Sequence, residues 1–523
     1  MSILSQPGRR ALLAGAAALS LTLTVAACGG SDSGKSGSAA KLTTLTLAAP
    51  NGPNNLDPAL NGNGTPLVWY TLLDYEPLIR RAPDGTAQPG LATKWAYSAD
   101  RMKFVLQLRE GVKFSNGEAL TADAVVKSLE YVKKNTLFQF LVNVKKFVAT
   151  GPLEVTLELT TPDPLLPFSL DQEGQVGDII APAGVANPKQ LQTESFGAGP
   201  YMLDSKTTIT NSQYVYVKNP NYFDPSKQQF DKVVIKVIAD DNATLAALRS
   251  GQVQAAQVNN NTAKVGQSSG LNLSKARSAM VGFYLFDLAG KVQPALAKQD
   301  VRQAMQYAID RTGITKAIYG ESAAPTQQYS AEGTAGYVAD LENRYPYDPA
   351  KAKELLAKAG YPNGFDLDLL VQPGALNQNL LAQAVAEQWK AVGINVKLTA
   401  PTVFADYVKE IGSGKYPIGT FNFYYGTHLL IMQGLFTKPA LYNFFGYDDK
   451  QSNVYAVEER KYDPDSAESN KVAEEFQKYV VEQAFAVPVA TADTLMLSTK
   501  SITGLDFTNK FPIPDPFNWK PAN

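Results

Sequence analysis

Val233–Ile238 (VVIKVI), Asn242–Ser250 (NATLAALRS), Gly251 and Val253–Val258 (VQAAQV) follow one another with almost no chain between them. The first run is β-branched and short, as a buried strand is. The second places apolar residues at helical spacing. Gly251 then offers the left-handed position that ends a helix. The third run is apolar again. Strand, helix and strand in this order form a βαβ unit, and the fold class expected of the chain is therefore α/β.

The same alternation extends in both directions. Upstream, Leu42–Ala48 alternates apolar residues with Thr, Arg101–Arg109 is a strand, and Asn116-Gly117 turns the chain. Thr121 is an N-cap for an amphipathic helix over Ala122–Lys133, with Asp123 in its first turn. Leu153–Leu159 puts four apolar side chains on one face of a strand. Downstream, one helix is expected over Val301–Tyr319, with Arg302 and Arg311 on different turns of it. Asp348-Pro349 starts another helix at Ala350, and Gly360 ends it. Leu367–Val371 is a strand, Asn377–Val392 a helix and Ile394–Leu398 a strand. Ser469–Ala484 is helical and Leu495–Ser498 strand-like. The Pro-rich tail from Phe511 to Pro521 is either an ordered surface strap or a frayed end.

Composition narrows the function. Of 523 residues, 45% are hydrophobic and 19% charged, enough for a large buried core in two or three domains. The formal charge is −1, without a basic run, which argues against nucleic acid as a partner. One histidine, His428, and one cysteine, Cys28, leave neither a zinc cluster nor an intrachain disulfide to build. No H-E-x-x-H, G-x-S-x-G or G-x-x-x-x-G-K-[ST] occurs. No catalytic residue, metal or cofactor is assigned, and a binding protein is expected rather than an enzyme.

The N-terminus addresses the chain. Arg9-Arg10 precede an apolar run from Ala11 to Val25, then Ala26-Ala27-Cys28-Gly29. At about 15 residues the run is shorter than the ~20 that span a bilayer, and the pattern is that of a secretory signal over residues 1–27. Ala26-Ala27-Cys28 resembles a bacterial lipobox. That resemblance implies a diacylglycerol on Cys28 and a mature protein held at the extracytoplasmic face of the cell membrane; the alternative is an ordinary signal peptide with an incidental cysteine. Export is by the general or the twin-arginine route. Residues 28–41 are Gly/Ser-rich, as a flexible tether is.

Several segments together resemble the extracytoplasmic solute-binding proteins of peptide and nickel ABC transporters, family 5. They are Leu56-Asp57-Pro58 and Tyr75-Glu76-Pro77-Leu78, then Phe104–Gly117 with Leu120–Val125. Gly197-Ala198-Gly199-Pro200-Tyr201 and Lys218-Asn219-Pro220-Asn221-Tyr222 follow. Leu245–Gly251, Val301–Met305 with Ala308–Arg311, and Trp389–Ile394 complete the series. The resemblance runs from about residue 42 to about 505, and most of these motifs read as scaffold.

It implies a two-lobed periplasmic-binding-protein-like fold of the cluster C type, with an extra domain inserted in the first lobe. Residues 42–74, 195–280 and 480–523 would form the first lobe, 75–194 the inserted domain and 281–479 the second lobe. A solute held in the interlobe cleft would be enclosed by hinge closure and passed to the transmembrane subunits of an ABC permease by a monomeric receptor.

The chain departs from the family where ligand is expected. Peptide-binding members carry an Asp-Tyr-x-Asp-Pro-like run whose acid takes the peptide's α-amino group. Here the comparable segment, Phe421–Leu430 (FNFYYGTHLL), has no acid, and Asp287 stands where an Asn is usual. Candidate ligand contacts are Asn51, Asn54 and Asn55 past the first strand, Gln372 past the Leu367–Val371 strand, and Phe423, Tyr424, Tyr425 and His428. The aromatic residues suit stacking with a polar handle; Phe421 and Phe423 equally suit a core strand. The ligand is expected to be a small peptide or other organic solute. The alternatives are a metal chelate, nickel or siderophore-like, with His428 on it, and a secreted hydrolase.

Overall fold

Two long antiparallel strands, Asn272–Leu285 and Ala486–Ser498, run through the middle of the molecule and serve both of its halves. They appear in a computed structural model that describes residues 42–53, 55–61, 67–136, 140–373, 376–402, 404–424, 428–437, 443–464, 466–508, 510–511 and 513–522. The strands of the main sheet are β1 Thr44–Ala49, β2 Tyr201–Leu203, β3 Gln213–Lys218, β4 Lys232–Val237, β5 Ala255–Gln257, β6 Asn272–Leu285, β7 Phe365–Leu370, β8 Ile394–Thr399, β9 Ile418–Tyr424 and β10 Ala486–Ser498. Their order is β8-β7-β9-β6-β10-β5-β1-β4-β3-β2, with Ala323–Pro325 added onto β10.

Within each half the central pairings are parallel: β1 with β4 and β5, and β7 with β8 and β9. Such strands need crossover helices, which cover the faces. At the centre the ladder between β6 and β10 slips between Arg277 and Ala279 and again between Val281 and Gly282. A Cβ on Gly282 would stand 2.4 Å from Val487 O. Bulges bend strands, so the ribbon changes direction where it passes from one half to the other. Arg277 Nε donates to Asp493 at 2.5 Å, and Ser278 and Thr494 hydroxyls meet at 2.6 Å at this crossing.

Three large apolar clusters fill the fold. Leu45–Leu73, Tyr201–Ile235 and Met496–Trp519 contribute to one. Residues between Ala59 and Ala198 form a second, under a four-stranded antiparallel sheet and the Ala122–Asn135 helix. The third draws on Met280 to Ala492. Together they make two lobes and an added domain on the first. Residues from Phe485 to Ala492 pack in the third cluster, and Met496 to Trp519 in the first.

Local capping signals position most helices. Thr121 Oγ1 accepts from Ala124 N at 3.2 Å, Asp240 from Ala243 N at 2.8 Å and Asp348 from Lys351 N at 2.8 Å. Gly251 and Gly360 follow their helices at φ +72° and +88°. The single helix expected over Val301–Tyr319 is instead two, Gln299–Tyr307 and Arg311–Tyr319. Asp310 caps the second by accepting from Gly313 N, and its own N–H donates to Gln388 Oε1. Buried Arg311 donates to Pro488 O at 2.8 Å and to Gln306 O at 3.0 Å. These tertiary bonds reward a break that a continuous helix would forbid. The Leu495–Ser498 strand extends back to Ala486, buried along its whole length.

The tail is an ordered strap. Trp519 is fully buried and meets Trp69 edge-on at 5.7 Å, while Trp69 Nε1 donates to Pro514 O at 3.0 Å. Asp515 pairs with Arg80, which also donates to Glu76 at 3.2 Å. The Tyr75-Glu76-Pro77-Leu78 motif thus ties the inserted domain to the tail. Gly197 and Gly199 permit close approach of the backbone. A Cβ on Gly197 would lie 2.0 Å from Asp74 O, and Gly199 N donates to that same oxygen at 2.7 Å.

Candidate functional site

Strand direction locates the site. β5 is antiparallel to β10, pairing Gln257 with Met496 and Ala255 with Ser498. The carboxyl ends of β1 and β5 therefore face the β6–β10 crossing. β9 is antiparallel to β6, pairing Tyr424 with Ala279 and Ile418 with Leu285. The carboxyl ends of β9 and its parallel neighbour β7 face the same crossing from the other half. Open α/β sheets bind ligands beyond the carboxyl ends of their strands. Here two such edges oppose one another over a bent ribbon.

The edges already touch. Asn260 Nδ2 donates to Ile318 O at 3.2 Å, and Asn377 Nδ2 donates to Asn260 Oδ1 at 3.2 Å. The inserted domain reaches the second lobe through Arg101 Nη2 and Asp463 at 2.8 Å.

Each candidate contact has a definite place. Asn51 is exposed just past β1, and its carbonyl accepts from Tyr70 OH at 2.8 Å. Asn55 Oδ1 accepts from Asp57 N at 2.9 Å and also meets Gln192 Nε2 of the inserted domain. Asn54 lies outside the described residues. Gln372 stands just past β7, buried; its N–H donates to Thr420 Oγ1 at 2.8 Å and its Oε1 has no hydrogen-bond partner. Phe423 and Tyr424 belong to β9, but their side chains, like Tyr425, lie outside what is described. Phe421 is half-buried beside Tyr284, with ring centroids 6.4 Å apart.

His428 opens the His428–Phe436 helix and is 4% exposed. Its Nδ1 stands 3.1 and 3.2 Å from the two carboxylate oxygens of Glu459, and its ring meets Phe476 edge-on at 5.9 Å. Gly336 covers the opposite edge: a Cβ there would be 2.5 Å from Cδ2 and 2.9 Å from Nε2. Asp287 is fully buried and accepts from the N–H groups of Lys291, Val292 and Gln293 at 2.7–2.9 Å. It closes a turn, which is a structural role for the position that departs from the family pattern.

Sequence reasoning passed over Gln378 and Asn422. Gln378 is the first residue of the Gln378–Lys390 helix, and neither end atom of its side chain has a hydrogen-bond partner among the described residues. Asn422, on β9, likewise has an unpartnered buried Oδ1. The available signal was position, since both stand at the carboxyl edge that Gln372 shares.

Strongly perturbed carboxyls gather elsewhere, at the seam of the first lobe and the inserted domain. Burial pushes Asp74 up to about 8, against hydrogen bonds from Ser195 and Gly197. Burial also raises Asp178 well above the usual carboxylate range, and it raises Glu76 against the pull of Arg80. These groups lie within the fold and not along the cleft edges. A surface depression of about 540 Å³ is bordered by Pro83, Ser226, Lys227, Gly504 and Lys520. It adjoins the amino end of β4 and the chain beyond β10, the side of the first lobe away from the cleft.

Comparison with known proteins agrees with this geometry. The family model for bacterial extracellular solute-binding proteins, family 5 (middle), matches residues 86–429. The chain is 26% identical over 435 residues to the glutathione-binding protein GsiB of Escherichia coli, covering 79% of this chain and 82% of that protein. It is 28% identical over 444 residues to heme-binding protein A of Haemophilus influenzae, covering 76% and 79%. Among solved structures, AgaA of A. tumefaciens R10 in complex with agropinic acid superposes with a TM-score of 0.82 at 25% identity, over 92% of this chain and 99% of that one.

Proposed function

The chain belongs to the bacterial extracellular solute-binding proteins of family 5, and from that premise we propose that it is the lipid-anchored, monomeric receptor of an ABC importer, taking up a small peptide or other organic solute. As a family member it binds solute for a transporter and is not an enzyme. The observation that carries the reading is the facing of two carboxyl edges across a bent two-strand ribbon. Such a ribbon lets the lobes turn relative to each other, and a solute between the edges adds contacts only when they close. Capture then shifts the population toward the closed form that a permease recognises.

The contacts we propose are Asn51 from the first lobe, Gln372 from the second, and the aromatic run Phe423, Tyr424 and Tyr425 at the end of β9. Cys28, with the Gly/Ser-rich segment after it, supports an anchor at the extracytoplasmic face. Relatives in this family carry glutathione, heme, peptides and nickel complexes. The metal-chelate alternative draws no support from His428, whose ring is enclosed by Glu459, Phe476 and Gly336.

The test is thermal unfolding of the protein lacking residues 1–28, against panels of peptides, metal chelates, sugars and amino-acid conjugates. A ligand at a hundred times its Kd raises stability by about 2.7 kcal/mol. Recovery of the ligand unchanged is expected, together with a more compact scattering profile. Chemical consumption of every hit, or one profile under all ligands, would reject the reading.

A further inference from the structure

The second-lobe edge of the cleft holds hydrogen-bonding capacity that the protein itself leaves unused. Gln372, Gln378 and Asn422 stand together by topology. β7 and β9 are parallel neighbours, with Leu370 opposite Gly419. Gln372 lies two residues beyond Leu370 and Asn422 three beyond Gly419, and the bond from Gln372 N to Thr420 Oγ1 ties the two strands there. Gln378 begins the helix that follows β7.

Gln372 and Gln378 are 9% and 2% exposed. Among the described residues, Gln372 Oε1, both end atoms of Gln378, and Asn422 Oδ1 are buried with no hydrogen-bond partner. Buried polar atoms are nearly always paired, and each exception calls for a missing partner such as water or ligand. Three exceptions at the ends of β7 and β9 and the start of the helix after β7 call for one explanation. Swapping the O and N of the amide does not remove the exception at Gln378, because both of its ends are unpaired among the described residues.

The helix start adds to the pattern. Asn377 has left-handed backbone at φ +53° and makes no side-chain cap; its amide is turned to Asn260 instead. The first N–H groups of this 13-residue helix therefore receive no cap from the Asn377 side chain.

We infer that this edge receives an uncharged ligand group carrying both hydrogen-bond donors and acceptors, either a hydroxylated sugar-like moiety or the internal amide of a peptide, and not a free ammonium. The inference rests on the capture reading above and names its substrate class. The groups available are amides, which donate and accept but carry no charge. An ammonium offers only donors and needs a carboxylate for strong recognition, and the aromatic segment Phe421–Leu430 contains none. Glu459, the acid nearest to that segment's histidine, is turned to His428.

The experiment uses three probes, N-acetyl-dialanine amide, maltose and dialanine, on the protein from residue 29 onward. Wild type is compared with Gln372→Met, Gln378→Met and Asn422→Leu. A rise in Tm with a neutral probe is expected, with dialanine no better than its blocked analogue. Each substitution should weaken that probe about tenfold, one hydrogen-bonded partner's worth. Gln378→Met should leave the unliganded Tm within a degree or two of wild type, or raise it, since it removes unpaired atoms and keeps the volume. A fall of several degrees would show the side chain to be structural and overturn the inference. So would a response to dialanine alone, or neutral-probe binding indifferent to all three substitutions. A wild type that answers only charged ligands overturns this inference and leaves solute capture standing. One that answers nothing and keeps a single scattering profile overturns both.

Discussion

The two edges of the cleft use the same amide chemistry to opposite ends. On the first-lobe side Asn55 is held by Asp57 N and Gln192, and Asn260 is held by Ile318 and Asn377. On the second-lobe side Gln372, Gln378 and Asn422 hold polar atoms without a hydrogen-bond partner among the described residues. An amide already bonded within the protein fixes a turn or a lobe contact. One buried without a partner lowers stability until a ligand arrives, because its lost hydration is not replaced. The difference teaches that residue type alone does not identify a binding contact; whether its bonds are already made does.

The contrast can be broken most forcefully by removing true scaffold. Trp519→Ala empties a fully buried site against Trp69, and urea unfolding should show a loss of about 3–5 kcal/mol. Gln378→Met in the same assay should show almost none. Similar losses for the two would erase the distinction between scaffold and waiting contact.

A pH series sharpens it next. Asp74, raised to about 8 by burial, holds its proton in the folded protein after the unfolded chain has released it. Its contribution is therefore full below the unfolded carboxyl pKa near 3.8 and declines as pH rises toward 8. Asp74→Asn should flatten the dependence of stability on pH between 5 and 8, by up to about 1.4 kcal/mol per pH unit. An unchanged slope would mean that this seam does not titrate as described.

The smallest effect is expected at the lobe contact. Asn260→Ala deletes both of its bonds across the cleft, each worth about 1 kcal/mol. Ligand-free scattering should then report a larger radius of gyration, with ligand-bound scattering little changed. Identical ligand-free profiles would remove Asn260 from the closure contacts.

Much of the fold was legible where its cause is local. Thr121, Asp240 and Asp348 start helices because a side-chain oxygen reaches an N–H three residues on, and Gly251 and Gly360 follow helices because they accept positive φ. The break at Asp310 was not legible, because its partners Gln388 and Pro488 lie far along the chain. Of β6, only the apolar end before Asp287 was legible. Its first half, Asn-Leu-Ser-Lys-Ala-Arg-Ser, reads as polar surface, and only its pairing with β10 and β9 makes it a strand. Position after a strand put Gln372 at the carboxyl edge of β7, while the partners of Asn55 and His428, Gln192 and Glu459, are ones no spacing rule could supply.

The sequence by itself determined the α/β class, the family, the signal-like start with its single cysteine, and the caps and turns that punctuate the chain. Only the tertiary structure decided which lobe each half of a long strand serves, which glycines are there for close approach, and which amides remain without partners. The reason is range: capping and periodicity act over a few residues, whereas a hydrogen bond between residues hundreds apart exists only once the chain has brought them together.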